Sequence, residues 1–500
     1  MTKTQWWLLA ALLTAPSLDA NEPDWAAFDR YVAAAVLEWD VPGLAIAVVK
    51  NDQIVFERGY GTTSLSGGGP VDEHTLFSIG STTKAMTAAA VGMLVDEGAL
   101  GWDDPLSEHM PRFRLADAEA TARLRVRDLL THNAGVPNTD GLWYEQPNDL
   151  DEVLRRMQYV ELEAPMYSNF TYQNVMYAAA GKLIELESGM TWGQFIERRI
   201  FVPLGMNRSV TSLARTRLRD NVATPHDVVD DQLVPIDNAS VDTVAAAGAV
   251  WSSVHEMALW ARFLLRGCVT EEGERLLTAE TCNELFEPQT LVNREMYPAM
   301  QLYEHHWFTY GLGWFQTDYR GRALDFHTGS IDGLVALHGL IRDEELGVYI
   351  LANRDHAEVR HALMYQALDS FDGRLTDATR RDWNREVKAL FDRLAQEREE
   401  QIAKTKKEDK PDPRPALDGA AYVGTYSDRL FGEVTITQAG GDLRFRFGLQ
   451  ACTLEHLGGD SFRCPWEAKW RGEGAVQFVA SSPGRIGALR LGSAEFRRAE

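Results

Sequence analysis

The chain has 500 residues, 45% of them hydrophobic and 25% charged, which is ordinary for a globular protein and too many residues for one small domain. Asp and Glu number 73 against 50 Lys and Arg, a formal charge of −23. That balance argues against nucleic acid or an anionic membrane as partner and fits a solvated surface. At the N-terminus, Lys3 precedes the apolar run Trp6 to Ala15, and Leu18-Asp19-Ala20 follows. This reads as a signal peptide over residues 1–20, too short to span a bilayer. The expected product is periplasmic or secreted, with no stable membrane anchor once the signal is cut. Trp25 to Trp39 then has the pattern of an amphipathic helix. Leu44 to Val49 and Gln53 to Arg58 are strand-like runs across an Asn51-Asp52 turn, a hairpin signal. Ala85 to Leu94 reads as a buried helix. Late strands are expected over Gly311 to Gln316, Leu334 to Ile341 and Gly347 to Ala352, followed by a helix from His356 to Phe371.

Strands at both ends of a long helical middle predict an α+β domain over residues 21–379: one antiparallel sheet flanked by helices, with a helical region beside it. Residues 380–416 read as a solvated charged helix and a stiff linker, Lys410-Pro-Asp-Pro-Arg-Pro415. From 417 to 500, short strands separated by glycines predict a small all-β, barrel-like domain. Its role is packing support, an oligomer contact or a lid over the substrate cleft. The four cysteines suit an oxidising compartment, and local pairing, Cys268 with Cys282 and Cys452 with Cys464, is the expected connectivity among three.

Three motifs carry chemistry. In Ser81-Thr82-Thr83-Lys84 a serine at a helix start has a lysine one turn on, on the same face. The helix N-terminus favours a developing oxyanion, and a lysine shielded from water can take the serine's proton. Tyr167-Ser168-Asn169 leads into an apolar helix, and His327-Thr328-Gly329 ends a strand. In this order S-x-x-K, Y-S-N and H-T-G resemble the penicillin-recognising serine hydrolases, in particular the class C β-lactamase-like branch. Arg127 to Gly135 and Phe201 to Met206 resemble it too, and the likeness covers roughly residues 25–370. The C-terminal part is similar to lipocalin-like domains appended to such enzymes.

The resemblance implies a β-lactamase/transpeptidase-like fold, Ser81 as nucleophile, and Lys84 and Tyr167 as its activators, either of which would take the proton. It gives Asn169 the task of orienting Lys84 and the substrate amide, and places His327, Thr328, Gly329 and Ser330 on the substrate side. The N–H groups of Ser81 and Ser330 would form the oxyanion hole. Tyr172-Gln173-Asn174 repeats the Y-x-N pattern five residues on. Tyr167 is preferred because its Ala-Pro-rich approach matches the family phrase. Histidine at 327 departs from the lysine of typical β-lactamases. A His327 cation that held a substrate carboxylate would lose affinity for acidic substrates between roughly pH 6 and 8.

The expected activity is therefore acyl-enzyme hydrolysis of a small-molecule or peptide amide or ester, by a peptidase for D-amino-acid peptides or a carboxylesterase. β-Lactamase action is one alternative, and a non-catalytic protein that binds cell-wall fragments is the other. No metal or cofactor is expected: His255-Glu256 lacks the second histidine of H-E-x-x-H, and no nucleotide loop is present. Sequence says nothing of oligomeric state.

Overall fold

The computed structural model describes residues 23–376, 378–408 and 417–499. The expected signal peptide and the Lys410-to-Pro415 linker lie outside the described residues. Helix α1 (Trp25–Glu38) is followed by strands β1 (Gly43–Lys50) and β2 (Gln53–Gly61). Asn51 and Asp52 join them with φ of 47° and 62°, the left-handed pair that a tight hairpin demands. The remaining strands of the main sheet come late: β3 (Thr290–Leu291), β4 (Phe308–Tyr310), β5 (Phe315–Tyr319), β6 (Arg322–Ile331), β7 (Leu334–Ile341) and β8 (Leu346–Ala352). The spatial order is β2-β1-β8-β7-β6-β5-β4-β3, so the two ends of the domain meet where β1 pairs with β8. Of the strand expected over Gly311 to Gln316, Phe315 and Gln316 do open β5, while residues 311–314 form the turn between β4 and β5, with Gly313 at φ 89°.

Near-continuous apolar strands reflect a sheet covered on both faces. Successive β1 residues alternate between two cores: Leu44, Ile46 and Val48 pack with α1 and helix α6 (Val359–Ser370), while Ala45, Ala47 and Val49 face the helical region. That region is built on α2 (Thr83–Asp96), α3 (Asn174–Ser188), α4 (Ala245–Gly248) and α5 (Val254–Leu265). Lys84 to Leu94 of α2 is buried on every side, so the Ala- and Met-rich run is a central rod. Helix α7 (Trp383–Glu408) is less detached than its charge suggests, because Trp383, Val387 and Leu390 are buried and Trp383 packs on Tyr365.

The C-terminal domain is a nine-stranded antiparallel sheet, from β9 (Gly424–Asp428) to β17 (Ala494–Arg498), around its own aromatic core. An isolated bridge between Cys452 and Trp466 draws its ends together into a nearly closed barrel. The Cys452–Cys464 disulfide staples the same seam, and Cys268–Cys282 ties the end of α5 to the helix at Ala279–Glu284.

Candidate active site

Ser81 lies in a 3₁₀ turn, Gly80–Thr82, which runs directly into α2, so Lys84 follows one turn later on the same face. Lys84 has no solvent exposure. Its Nζ is 3.0 Å from Ser81 Oγ, 2.8 Å from Asn174 Oδ1 and 2.9 Å from the carbonyl of Ala247. Burial lowers its pKa to about 7, partly opposed by the charge of Asp140. A neutral amine has two N–H donors and one lone pair. The two carbonyl oxygens accept both donors, which leaves the lone pair for the Ser81 hydroxyl.

Asn174 opens α3, and its partner at Ser81 is Tyr172. The Tyr172 ring lies 4.8 Å from Lys84 Nζ, and the Tyr172 phenol interacts with the Ser81 side chain. Burial raises the Tyr172 pKa well above the ordinary tyrosine value. His132 packs on the same ring at 4.4 Å and accepts from the Gln173 N–H through Nδ1, which ties the Thr131-His132-Asn133 loop to the start of α3.

The expectation for Tyr167 and Asn169 is corrected here. Tyr167 is 41% exposed and donates its hydroxyl to Asp128 Oδ2 at 2.9 Å, with the Arg125 guanidinium 5.3 Å from its ring. Burial and then the Asp128 charge raise its pKa, the reverse of what an activated base needs. Asn169 is exposed and donates to Thr171 Oγ1. The stretch is a structural strap: Tyr167 N–H and Thr171 N–H donate to the carbonyls of Asn133 and His132. A usable signal was in the chain. Tyr172-Gln173-Asn174 directly abuts the apolar helical run, where a side chain can reach α2, whereas Tyr167 sits in a polar loop.

His327 is also corrected. It is buried on β6 opposite His338, its Nδ1 donates to the Thr328 carbonyl at 2.6 Å, and its Nε2 accepts from Tyr310 at 3.1 Å. Desolvation, then Lys84, lowers its pKa to about 3. With both nitrogens committed and no charge at neutral pH, it is not a carboxylate clamp. Thr328 is bonded to Tyr297 at 2.7 Å.

Gly329 and Ser330 press against the serine turn. A Cβ at Gly80 would lie 2.7 Å from Ser330 N, and one at Gly329 would run into the Ile79 carbonyl and lie 3.0 Å from Ser81 N. Only glycine allows this approach. Arg360, which sequence reading missed, holds the strand end from behind: Nη1 donates to Gly329 O at 2.9 Å and Ser330 Oγ at 3.0 Å.

Two further contributors were not legible beforehand. Asp140 accepts from Asn174 Nδ2, and the C-terminal domain reaches the cleft wall. Arg471 bonds Glu145 at 2.7 Å and lies 5.3 Å from the Tyr144 ring, while Tyr144 donates to Asp332, two residues beyond Ser330. A cleft of about 570 Å³ lies between Ser330, Ile331 and Asp332 on one side and Trp466, Trp470 and Arg471 on the other.

A family model described as Beta-lactamase matches residues 28–371, and a domain of unknown function, DUF3471, matches residues 408–499. Unguisins hydrolase ungD of Aspergillus violaceofuscus is 28% identical over 489 residues, covering 90% of this chain and 84% of that protein. Penicillin-binding protein 4 of Amycolatopsis lactamdurans is 27% identical, covering 59% of this chain and 76% of its own. Among solved structures, the octameric penicillin-binding protein homologue from Pyrococcus abyssi superposes with a TM-score of 0.62 at 21% identity, covering 95% of this chain and 99% of that one. SurE superposes with a TM-score of 0.56 at 23% identity, again over 95% and 99%.

Proposed function

We propose that this chain, which belongs to the Beta-lactamase family and is a serine hydrolase of that type, works through an acyl-enzyme at Ser81 on amide or ester substrates. The observation that carries the reading is the set of three contacts at Lys84 Nζ, two of them to carbonyl oxygens and the third to the Ser81 hydroxyl. As Ser81 Oγ attacks the carbonyl carbon, its proton passes to Lys84 and negative charge builds on the substrate oxygen. The N–H groups of Ser81 and Ser330 would donate hydrogen bonds to that oxygen; one such donor is typically worth about 3–4 kcal/mol. Tyr172, protonated at rest, is the nearer candidate for handing a proton to the leaving group, after which Lys84⁺ restores it. Water then repeats the attack on the acyl-enzyme.

The proposed substrate is a small peptide, with D-amino-acid peptides ahead of carboxylic esters. A solved neighbour whose structure was determined with D-Leu supports that order. A neutral His327 where β-lactamases have lysine weighs against efficient penicillin turnover. The proposed setting is the periplasm or the exterior, which the two disulfides support.

The test is intact-mass spectrometry with a fluorophosphonate, a penicillin and a p-nitrophenyl ester, against Ser81→Ala, followed by turnover of D- and L-aminoacyl peptides. A Ser81-dependent adduct with D-peptide turnover supports the reading. Rapid penicillin turnover moves the assignment to β-lactamase. No Ser81-dependent adduct with any probe refutes it.

A further inference from the structure

We propose that Asp140 is a positioning residue of the acylation machinery, whose carboxylate fixes the Asn174 amide so that its oxygen, not its nitrogen, meets Lys84. The inference rests on the reading of Ser81 and Lys84 above.

The two ends of an asparagine amide have nearly the same shape and opposite hydrogen-bonding character. With Oδ1 toward Lys84, the amide accepts an amine N–H and leaves the amine lone pair for Ser81. Turned over, it would donate into that lone pair and compete with the serine. Lys84 by itself does not choose, because a neutral amine both donates and accepts. Asp140 does choose. A carboxylate only accepts, and Asn174 Nδ2 lies 3.1 Å from each of its oxygens.

Asp140 is itself held in place. Trp143 Nε1 donates to Oδ1 at 2.9 Å, Asn138 Nδ2 donates to Oδ2 at 3.1 Å, and the Asp140 N–H returns to Asn138 Oδ1 at 2.9 Å. The loop is braced from the C-terminal domain, where the Phe431 ring covers Gly141 and the Leu449 N–H donates to the Glu145 carbonyl. The carboxylate also acts by its charge. Lys84 is faced by Ser81, by Tyr172 and Tyr177 at 4.8 and 5.2 Å, by the Ala247 carbonyl of α4, and by His132 and His327. Burial keeps the tyrosines protonated and both histidines neutral, so Asp140 is the anion of this shell and opposes the desolvation of Lys84.

The test uses the full chain with Asp140→Asn, which removes the charge and the acceptor-only character at nearly constant shape, and Asp140→Glu, which retains both. Lys84 is titrated by NMR of ε-¹³C-lysine protein in a Ser81→Ala background, its resonance assigned by its loss in Lys84→Met. This readout needs no turnover. In Asp140→Asn the Lys84 midpoint falls by about one pH unit. In the Ser81 protein, the plateau of acylation by p-nitrophenyl acetate drops about 10- to 100-fold and its ascending limb moves down by the same unit, with KM little changed. Asp140→Glu recovers most of both. Asp140→Ser, smaller and also uncharged, repeats the shift if the asparagine variant does not fold. An unmoved Lys84 midpoint with acylation within twofold of wild type, in a variant that melts normally, overturns the proposal. A shifted midpoint in a protein that shows no Ser81-dependent acylation upholds the positioning role and removes the hydrolase reading instead.

Discussion

Lys84 couples stability to catalysis in a way that can be measured. Its pKa is about 7 in the folded protein, against 10.5 for a free lysine. Between those values the native state holds fewer protons than the unfolded chain, so stability rises with pH across that window. The penalty is fully present below about pH 7 and gone above about 10.5. Linkage puts it at about 4 kcal/mol at pH 7 and about 2 kcal/mol at pH 9. Lys84→Met removes the titration but also strips a donor from Asn174 Oδ1 and the Ala247 carbonyl, so its stability at one pH mixes both effects. The difference between two pH values does not. Chemical denaturation of wild type and Lys84→Met at pH 7 and pH 9, followed in the N-terminal domain, should show the wild type gaining about 2 kcal/mol on the variant. Pre-steady-state acylation should rise about tenfold per pH unit below about pH 7 and level off above it. Parallel stability profiles, together with an acylation limb centred near pH 10, would refute the neutral-amine argument.

Tyr172→Phe should slow acylation or deacylation about 10²- to 10⁴-fold, whereas Tyr167→Phe should leave kcat within about threefold and lower the melting temperature; the reverse ranking restores the Tyr167 assignment. His327 and His338, both lowered to about 3 by burial, stay neutral in the native state while the unfolded chain protonates near pH 6.5. Stability is therefore lost as pH falls from about 6.5 toward 3, by about 2 kcal/mol per histidine between pH 7 and 5, and His338→Leu should flatten the denaturation-versus-pH slope by that amount. Gly329→Ala should cut acylation more than about 100-fold in stopped flow, because its Cβ would enter the Ile79 carbonyl and push β6 off the serine turn. Arg471→Ala removes the guanidinium ties from the C-terminal domain to Tyr144, Glu145 and Asp332, leaving the Leu449 and Trp470 bonds to Glu145 and Asp332 in place. Steady-state assays should show KM rising about several-fold with kcat little changed, and a fall in kcat alone would contradict that account.

Much of the architecture is local information. The alternation of β1, the left-handed Asn51-Asp52 turn, the Ala-rich run of α2 and the glycine-spaced C-terminal strands each follow from the stereochemistry of neighbouring residues. So does the Ser81–Lys84 pair, because a spacing of three on a helix sets one side chain beside the other wherever the helix packs. The tyrosine, the asparagine and the histidine were different. Two Y-x-N stretches satisfied the same pattern; adjacency to the apolar helical run favoured the second, and what decided between them was which one touched α2, a contact across 88 to 90 positions of chain. The His327 charge depended on burial against Tyr310 and Phe315, and the roles of Asp140, Arg360 and Arg471 depended on loops and a second domain meeting at the cleft. Hydrogen-bond direction and desolvation are properties of the surroundings of a group. They came into being only once distant segments were brought within about 3 Å of one another.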